Sequence, residues 1–156
     1  MKNTENIDIL KKYFNFLITN LNFKIKEVRS LNYALYAKFI SNNVGIYFSY
    51  EFRDFIPHIQ ITKIDTEDLK ERPGLYTIKE LYKDNNFKLQ SFYLDEILSF
   101  QAQNEYKSYF QNIKTIEDAI KISSELLETY AIDYLKGNDF NFTELDKWFK
   151  EEIRMH

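Results

Sequence analysis

Four side chains in the middle of the chain have the types and spacing that could support chemistry: Tyr47, Glu51, Arg53 and His58. Apolar residues recur at every second position from 44 to 53, so the first three share the more polar face of one predicted strand. His58 lies on the polar side of the next strand. Together the four could line a shallow ligand-binding or catalytic site. The alternatives are an ordinary surface ion pair between Glu51 and Arg53 and an exposed histidine without a role.

The sequence excludes several kinds of catalytic and metal-binding site. A triad at His58 needs a nucleophile and an orienting carboxylate, and the spacing of the nearest candidates, Ser49 and Asp54, is not typical of one. With no cysteine and two histidines, the chain lacks the ligands of a zinc site. Segment 65–68 misses the calcium-loop pattern, and neither a phosphate loop nor a nucleophile elbow is present. The sequence therefore predicts no catalytic residues, metal or cofactor, and favours a binding protein over an enzyme.

The elements that position these residues are predicted from hydrophobic periodicity. Alternation predicts four strands at residues 23–30, 33–40, 44–53 and 56–64. Short turns separate them, and the one at 41–43 contains two asparagines suited to positive φ. Sequential strands usually pair with their neighbours. The expected fold is a single α+β domain over residues 1–156. Its four-stranded antiparallel meander is packed on one face by the N-terminal and C-terminal helices.

Helical periodicity accounts for most of the remaining chain. One helix is predicted from Thr4 to residue 21, capped by the asparagine before it or by Thr4 itself. A turn at 72–74 precedes a capping box at 77–80, which predicts a short helix to about residue 84. Residues 91–112 indicate one or two helices, and 87–92 could instead form a short strand. The clearest helix begins at Thr115 and stops at Gly137, and the last helix is predicted at 143–153.

Charge is unevenly distributed, with a net charge of +4 over residues 1–64 and −7 over residues 65–156. Turning about 100° per residue from Ile116 places Asp118, Glu125 and Glu128 on the outward side of the long helix. These carboxylates could attract a basic protein, although two ordinarily solvated faces are the alternative. Nucleic acid is a poor fit to an acidic chain. The N-terminus lacks a signal-peptide pattern and no apolar run is long enough for a membrane span, which favours the cytoplasm.

The C-terminal run at residues 126–140, continuing to 145–148, resembles the end of small bacterial proteins of the toxin-immunity type. In those proteins a helix has Tyr-Ala and then Leu near its end and stops at a Gly-Asp-Phe-like sequence. A short final helix follows. The run at 50–54 is similar to their mid-chain strand. The resemblance implies a cytosolic protein that works by binding a toxin, and it transfers no catalytic residue. The alternative is a small enzyme or ligand-binding domain that uses Tyr47, Glu51, Arg53 and His58.

Overall fold

The alternation predicted for the first half of the chain folds into four consecutive antiparallel strands, and a fifth joins them from later in the sequence. The computed structural model describes residues 2–54, 56–64, 78–136 and 139–155. The strands of the described residues are β1 (Lys24–Ser30), β2 (Ala34–Ile40), β3 (Val44–Glu51), β4 (His58–Lys63) and β5 (Ser91–Tyr93). The helices of the described residues are α1 (Lys2–Tyr13), α2 (Asn15–Leu21), α3 (Ile78–Leu81), α4 (Leu94–Gln101), α5 (Ile116–Leu135) and α6 (Asp139–Met155). Two 3-10 turns cover Phe52–Asp54 and Tyr106–Phe110.

The sheet is a meander in the order β1-β2-β3-β4-β5, with every neighbouring pair antiparallel. The prediction of an α+β fold with an antiparallel meander is confirmed, but the prediction of four strands is wrong. Strand β5 pairs with β4 through Phe92 opposite Ile61. It has only three residues, which is too short for alternation to distinguish from a loop.

Alternation along β3 separates two faces as predicted. Ile46 and Phe48 are fully buried, while Tyr47 between them is half-buried. The turn before β3 is tightened by Ser41, whose N–H donates to the Val44 carbonyl at 2.9 Å. The expectation of positive φ in this turn is wrong. Among the described residues only Asn22 and Gln103 have positive φ without being glycine.

The predicted single helix at 4–21 is two helices, because the chain bends at Phe14. This residue has φ −98° and ψ 9° and is fully buried. Its ring stacks on Phe39 at 5.7 Å and meets Phe48 edge-on at 5.4 Å. The first helix already includes Thr4, so Thr4 is not its cap. Asn22 ends α2 in the left-handed conformation, with φ 60° and ψ 30°, and the predicted helix end there is confirmed.

The long helix α5 begins as predicted, since the Thr115 side chain accepts a hydrogen bond from the Asp118 N–H at 3.0 Å. Its last residue is Leu135, and the predicted stop at Gly137 lies outside the described residues. Helix α6 starts at Asp139, four residues earlier than predicted. Helix α3 ends at Leu81 rather than near residue 84. The turn at 72–74, the acidic segment 65–68 and the first residue of the predicted capping box also lie outside the described residues.

One contiguous apolar cluster joins the helices to the inner sheet face. It includes Leu10 and Phe14 from the N-terminal segment, Ile97 from α4, Leu127 from α5 and Phe149 from α6. Helix α4 therefore joins the terminal helices in covering the sheet. No helix within the described part of the chain combines the length and apolar character needed to cross a bilayer.

Candidate binding surfaces

The outer face of the sheet carries three of the four residues first considered for chemistry. Tyr47 on β3 is half-buried, and the Lys38 ammonium lies 5.2 Å from the centre of its ring. His58 opens β4, is exposed, and pairs with Ser49 on β3. Among the described residues His58 makes no hydrogen bond or ion pair with Tyr47 or Glu51, so the face does not assemble these groups around a common point.

Arg53 does not lie on the strand face where alternation placed it. Strand β3 ends at Glu51, and Arg53 belongs to the 3-10 turn that follows. Its guanidinium lies 3.8 Å from the carboxylates of both Glu51 and Asp54, and its side chain is 84% exposed. Glu51 also lies near Tyr36, whose pKa is raised first by burial and then by the Glu51 charge. These contacts are surface ion pairing, which contributes little to stability.

The shape of the outer face near Tyr47 is shallow. A depression there is lined by Glu27, Arg29, Tyr36 and Lys38 together with Tyr47, and it holds only about 10 Å³. That volume is close to what one water molecule occupies. Small-molecule sites are far larger, at roughly 300–1,000 Å³. The depression therefore offers no room for a substrate.

The three acidic residues singled out on the long helix all reach the surface of α5. Glu125 and Glu128 are exposed. Asp118 is half-buried, and its carboxylate accepts a hydrogen bond from the Lys114 N–H at 3.4 Å. Glu125 and Glu128 are three residues apart and are therefore neighbours on one side of the helix. Lys121 is also exposed, one turn before Glu125.

Helix α1 extends this acidic region. The Tyr13 hydroxyl donates to Glu117 at 2.7 Å and so ties α1 to α5. The hydrogen bond to Glu117 is the main cause of the raised pKa of Tyr13, followed by burial and by the charges of Glu117, Asp118 and Glu125. These carboxylates of α5 therefore act on one point of α1.

An open groove of about 570 Å³ lies alongside this contact. It is lined by Thr4, Glu5, Asp8, Ile9, Lys12 and Glu117. We call the surface formed by six carboxylates of the two helices the acidic face: Glu5, Asp8, Glu117, Asp118, Glu125 and Glu128. The charge pattern of α5 alone does not reveal the contribution of α1. Glu5 and Asp8 are three residues apart on the N-terminal helix, but only the groove that they line together with Glu117 shows that they lie beside α5.

A cleft between α4, α5 and α6 was not predicted. It has a volume of about 550 Å³ and combines the aromatic rings of Tyr134 and Trp148 with charged side chains of α6. Burial raises the pKa of Tyr134, so its hydroxyl remains neutral at physiological pH. The C-terminal sequence predicts a helix that packs on the core, which accounts for the buried Leu145 and Phe149 but not for the polar positions beside them.

Within the described residues no group of three histidine, aspartate or glutamate side chains is arranged to hold a metal ion. No protein family, curated protein or solved structure matches this chain.

Proposed function

We propose that this chain is a non-enzymatic protein-binding module of the bacterial immunity type, which neutralises a basic toxin in the cytoplasm. The observation that carries the proposal is the acidic face. Its carboxylates come from two helices that are held together by the Tyr13–Glu117 hydrogen bond. The resemblance of the C-terminal run to immunity-type proteins supports the same function.

The acidic face suits a protein partner because its charges are largely uncompensated. Among the described residues, no ion pair within 4 Å involves Glu5, Asp8, Glu125 or Glu128. Lys12 and Lys121 lie among them, and the Lys12 ammonium sits 5.1 Å from the centre of the Tyr13 ring. Clustered charge of one sign attracts an oppositely charged partner and accelerates its association.

The alternative, a small enzyme or ligand-binding domain on the outer sheet face, has less support. Its four residues do not converge, and the depression beside Tyr47 holds about 10 Å³. Glu51 and Arg53 already contact each other.

The proposal can be tested with the protein encoded beside this gene, provided that it is basic. Expressing that protein alone should stop growth of a bacterial host, and co-expressing this chain should restore growth. Association of the two purified proteins should be slowed about 3- to 10-fold at low salt by Asp118→Asn, Glu125→Gln and Glu128→Gln combined. The slowing should shrink as salt rises from about 0.01 M to 1 M, because the Debye length falls from about 30 Å to 3 Å.

A matched control removes three exposed carboxylates elsewhere, by Glu27→Gln, Glu105→Gln and Asp133→Asn. This variant changes the net charge by the same amount and should associate at close to the wild-type rate. Equal slowing in both variants would assign the effect to net charge rather than to the acidic face. Failure of this chain to restore growth or to bind its neighbour would refute the immunity function.

A further inference from the structure

The cleft between α4, α5 and α6 has the volume and lining of a small-molecule site. Its volume of about 550 Å³ falls within the roughly 300–1,000 Å³ typical of such sites. Eight described residues line it: Ile97, Gln101, Tyr134, Glu144, Leu145, Lys147, Trp148 and Glu151. The cleft is separate from the acidic face. Tyr134 follows Glu125 by nine residues, which at about 100° each places it on the opposite side of α5.

The base of the cleft is apolar and its aromatic walls are held in place. Ile97 and Leu145 are buried. Tyr134 meets Phe92 edge-on, with ring centres 5.1 Å apart, and its hydroxyl accepts a hydrogen bond from Gln101 Nε2 at 3.4 Å. A ring fixed before binding loses little conformational freedom when a ligand arrives.

The second aromatic wall is also supported from within the protein. Trp148 packs edge-on against Phe149, with ring centres 5.6 Å apart. Phe149 is itself buried in the core. The indole therefore lines the cleft while resting on a rigid base.

The charged side chains around Trp148 favour a cationic ligand over an anionic one. Glu144 lies four residues before Trp148 and Glu151 three residues after it, so the two carboxylates flank the indole on one side of α6. Aromatic ring faces attract cations through their quadrupole, and carboxylates attract cations as well. Lys147 opposes them, but two carboxylates outnumber one ammonium, and no ion pair within 4 Å among the described residues joins Lys147 to either carboxylate.

We propose that this cleft binds a small organic cation, an ammonium or guanidinium group carried on an apolar body. The apolar body packs against Ile97, Leu145 and the two aromatic rings. The cationic group lies beside Trp148, between Glu144 and Glu151. This inference does not depend on the immunity function, since it concerns a different surface.

The test uses the single tryptophan of the chain as a reporter. Three ligands of similar size and shape are titrated while Trp148 fluorescence is followed: 2-phenylethylamine, 2-phenylethanol and 3-phenylpropionate. The amine should give a saturable change and bind about 5- to 30-fold more tightly than the neutral alcohol, as expected for a cation near a ring and two partly exposed carboxylates. The carboxylate should bind most weakly.

Variants of α6 then separate charge recognition from simple apolar binding. Glu144→Gln with Glu151→Gln should reduce the affinity for the amine about 5- to 20-fold and leave the affinity for the alcohol unchanged. Lys147→Gln should increase the affinity for the amine, and Glu128→Gln, on the acidic face, should change neither. Isothermal titration calorimetry checks the same constants without relying on Trp148. The proposal is overturned if the alcohol binds as tightly as the amine, if the double variant binds the amine normally, or if the amine shows no saturation up to about 10 mM, ten times a weak Kd of ~1 mM.

Discussion

Asp146 on α6 should be one of the largest polar contributors to stability, and its removal is a sharp test of the structure. Its Oδ1 accepts hydrogen bonds from the Tyr82 hydroxyl at 2.7 Å and from the Leu89 N–H at 3.0 Å. Its Oδ2 lies 3.0 Å from the Lys150 ammonium. One carboxylate therefore fixes α6 to the chain segment that leads into β5.

The size of the effect follows from these contacts. A hydrogen bond to a charged group contributes about 1.5–3 kcal/mol, and the Asp146 side chain is only 16% exposed. Asp146→Ala removes both bonds and leaves the N–H of buried Leu89 without its acceptor, so we expect a loss of about 3 kcal/mol after allowing for entering water. Asp146→Asn keeps the accepting oxygen but not the charge, and should cost about 1 kcal/mol.

Thermal unfolding measures these losses. In a chain of this length 1 kcal/mol corresponds to about 2–4 °C in Tm, so Asp146→Ala should lower Tm by roughly 6–12 °C and Asp146→Asn by roughly 2–4 °C. Asp133→Asn removes an exposed carboxylate and serves as the control, with an expected change below ~0.5 kcal/mol. An Asp146→Ala protein as stable as the wild type would show that this carboxylate does not hold α6 in place.

The pH dependence gives an independent check. Burial alone would raise the pKa of Asp146, but the hydrogen bonds from Tyr82, Lys150 and Leu89 outweigh burial and lower it. A folded-state pKa below the unfolded value means that the carboxylate stabilises the fold above the ordinary value of about 3.9, and that this stabilisation is lost as pH falls through the folded pKa. The difference in unfolding free energy between wild type and Asp146→Asn should therefore be complete at pH 7 and shrink progressively as pH falls below about 3.9. A constant difference would contradict the assignment.

Substitutions at three further positions test other parts of the fold by urea titration. Tyr106→Phe should cost about 1–2 kcal/mol, because the buried Tyr106 hydroxyl donates to the Pro57 carbonyl at 2.7 Å. Burial also raises the pKa of Tyr106, so wild type should lose stability above about pH 10 more steeply than this variant. Asn22→Ala should cost about 1 kcal/mol while Asn22→Gly stays within ~0.5 kcal/mol of wild type, because Asn22 is left-handed. Phe14→Ala should cost about 3–5 kcal/mol, because the ring is fully buried, and a loss below 1 kcal/mol would mean that this bend does not anchor the helices.

The first four strands could be predicted because inward-facing apolar residues recur along them, although in β4 the intervening Gln60 and Thr62 are buried as well. Their alternation reflects a physical requirement, since side chains of a strand point to opposite sides, and Ile59 and Ile61 are buried as that pattern demands. The fifth strand was open only as an alternative at residues 87–92, which overlaps the observed Ser91–Tyr93, and its place in the sheet could not be predicted. Its pairing with β4 is fixed by partners about thirty residues earlier in the chain, including the 2.6 Å hydrogen bond from Gln60 Nε2 to Ser91 Oγ, and three residues are too few to show a period.

The bend at Phe14 escaped prediction for a related reason. Apolar residues continue at helical spacing through this position, so periodicity favours one helix. The benefit of the bend is the contact of the Phe14 ring with Phe39 and Phe48, which belong to strands far along the chain. Part of the acidic face could be predicted from α5, but the carboxylates of α1 required knowledge of how the two helices pack. The cleft depends on three helices and left no signal in any one of them.

The outer sheet face and the acidic face differ in how their charges are balanced, and this difference supports binding through the helices. On the sheet, Glu27 lies 3.4 Å from the Lys38 ammonium, and the Arg29 guanidinium lies 5.0 Å from the centre of the Tyr36 ring. These groups face their own neighbours across the strands, so a partner would have to break existing contacts to use them. On the acidic face, by contrast, Glu5, Asp8, Glu125 and Glu128 form no ion pair within 4 Å among the described residues. A basic partner of the kind we propose could therefore pair with these four carboxylates without first breaking an ion pair, whereas on the sheet it would compete with pairs that already exist.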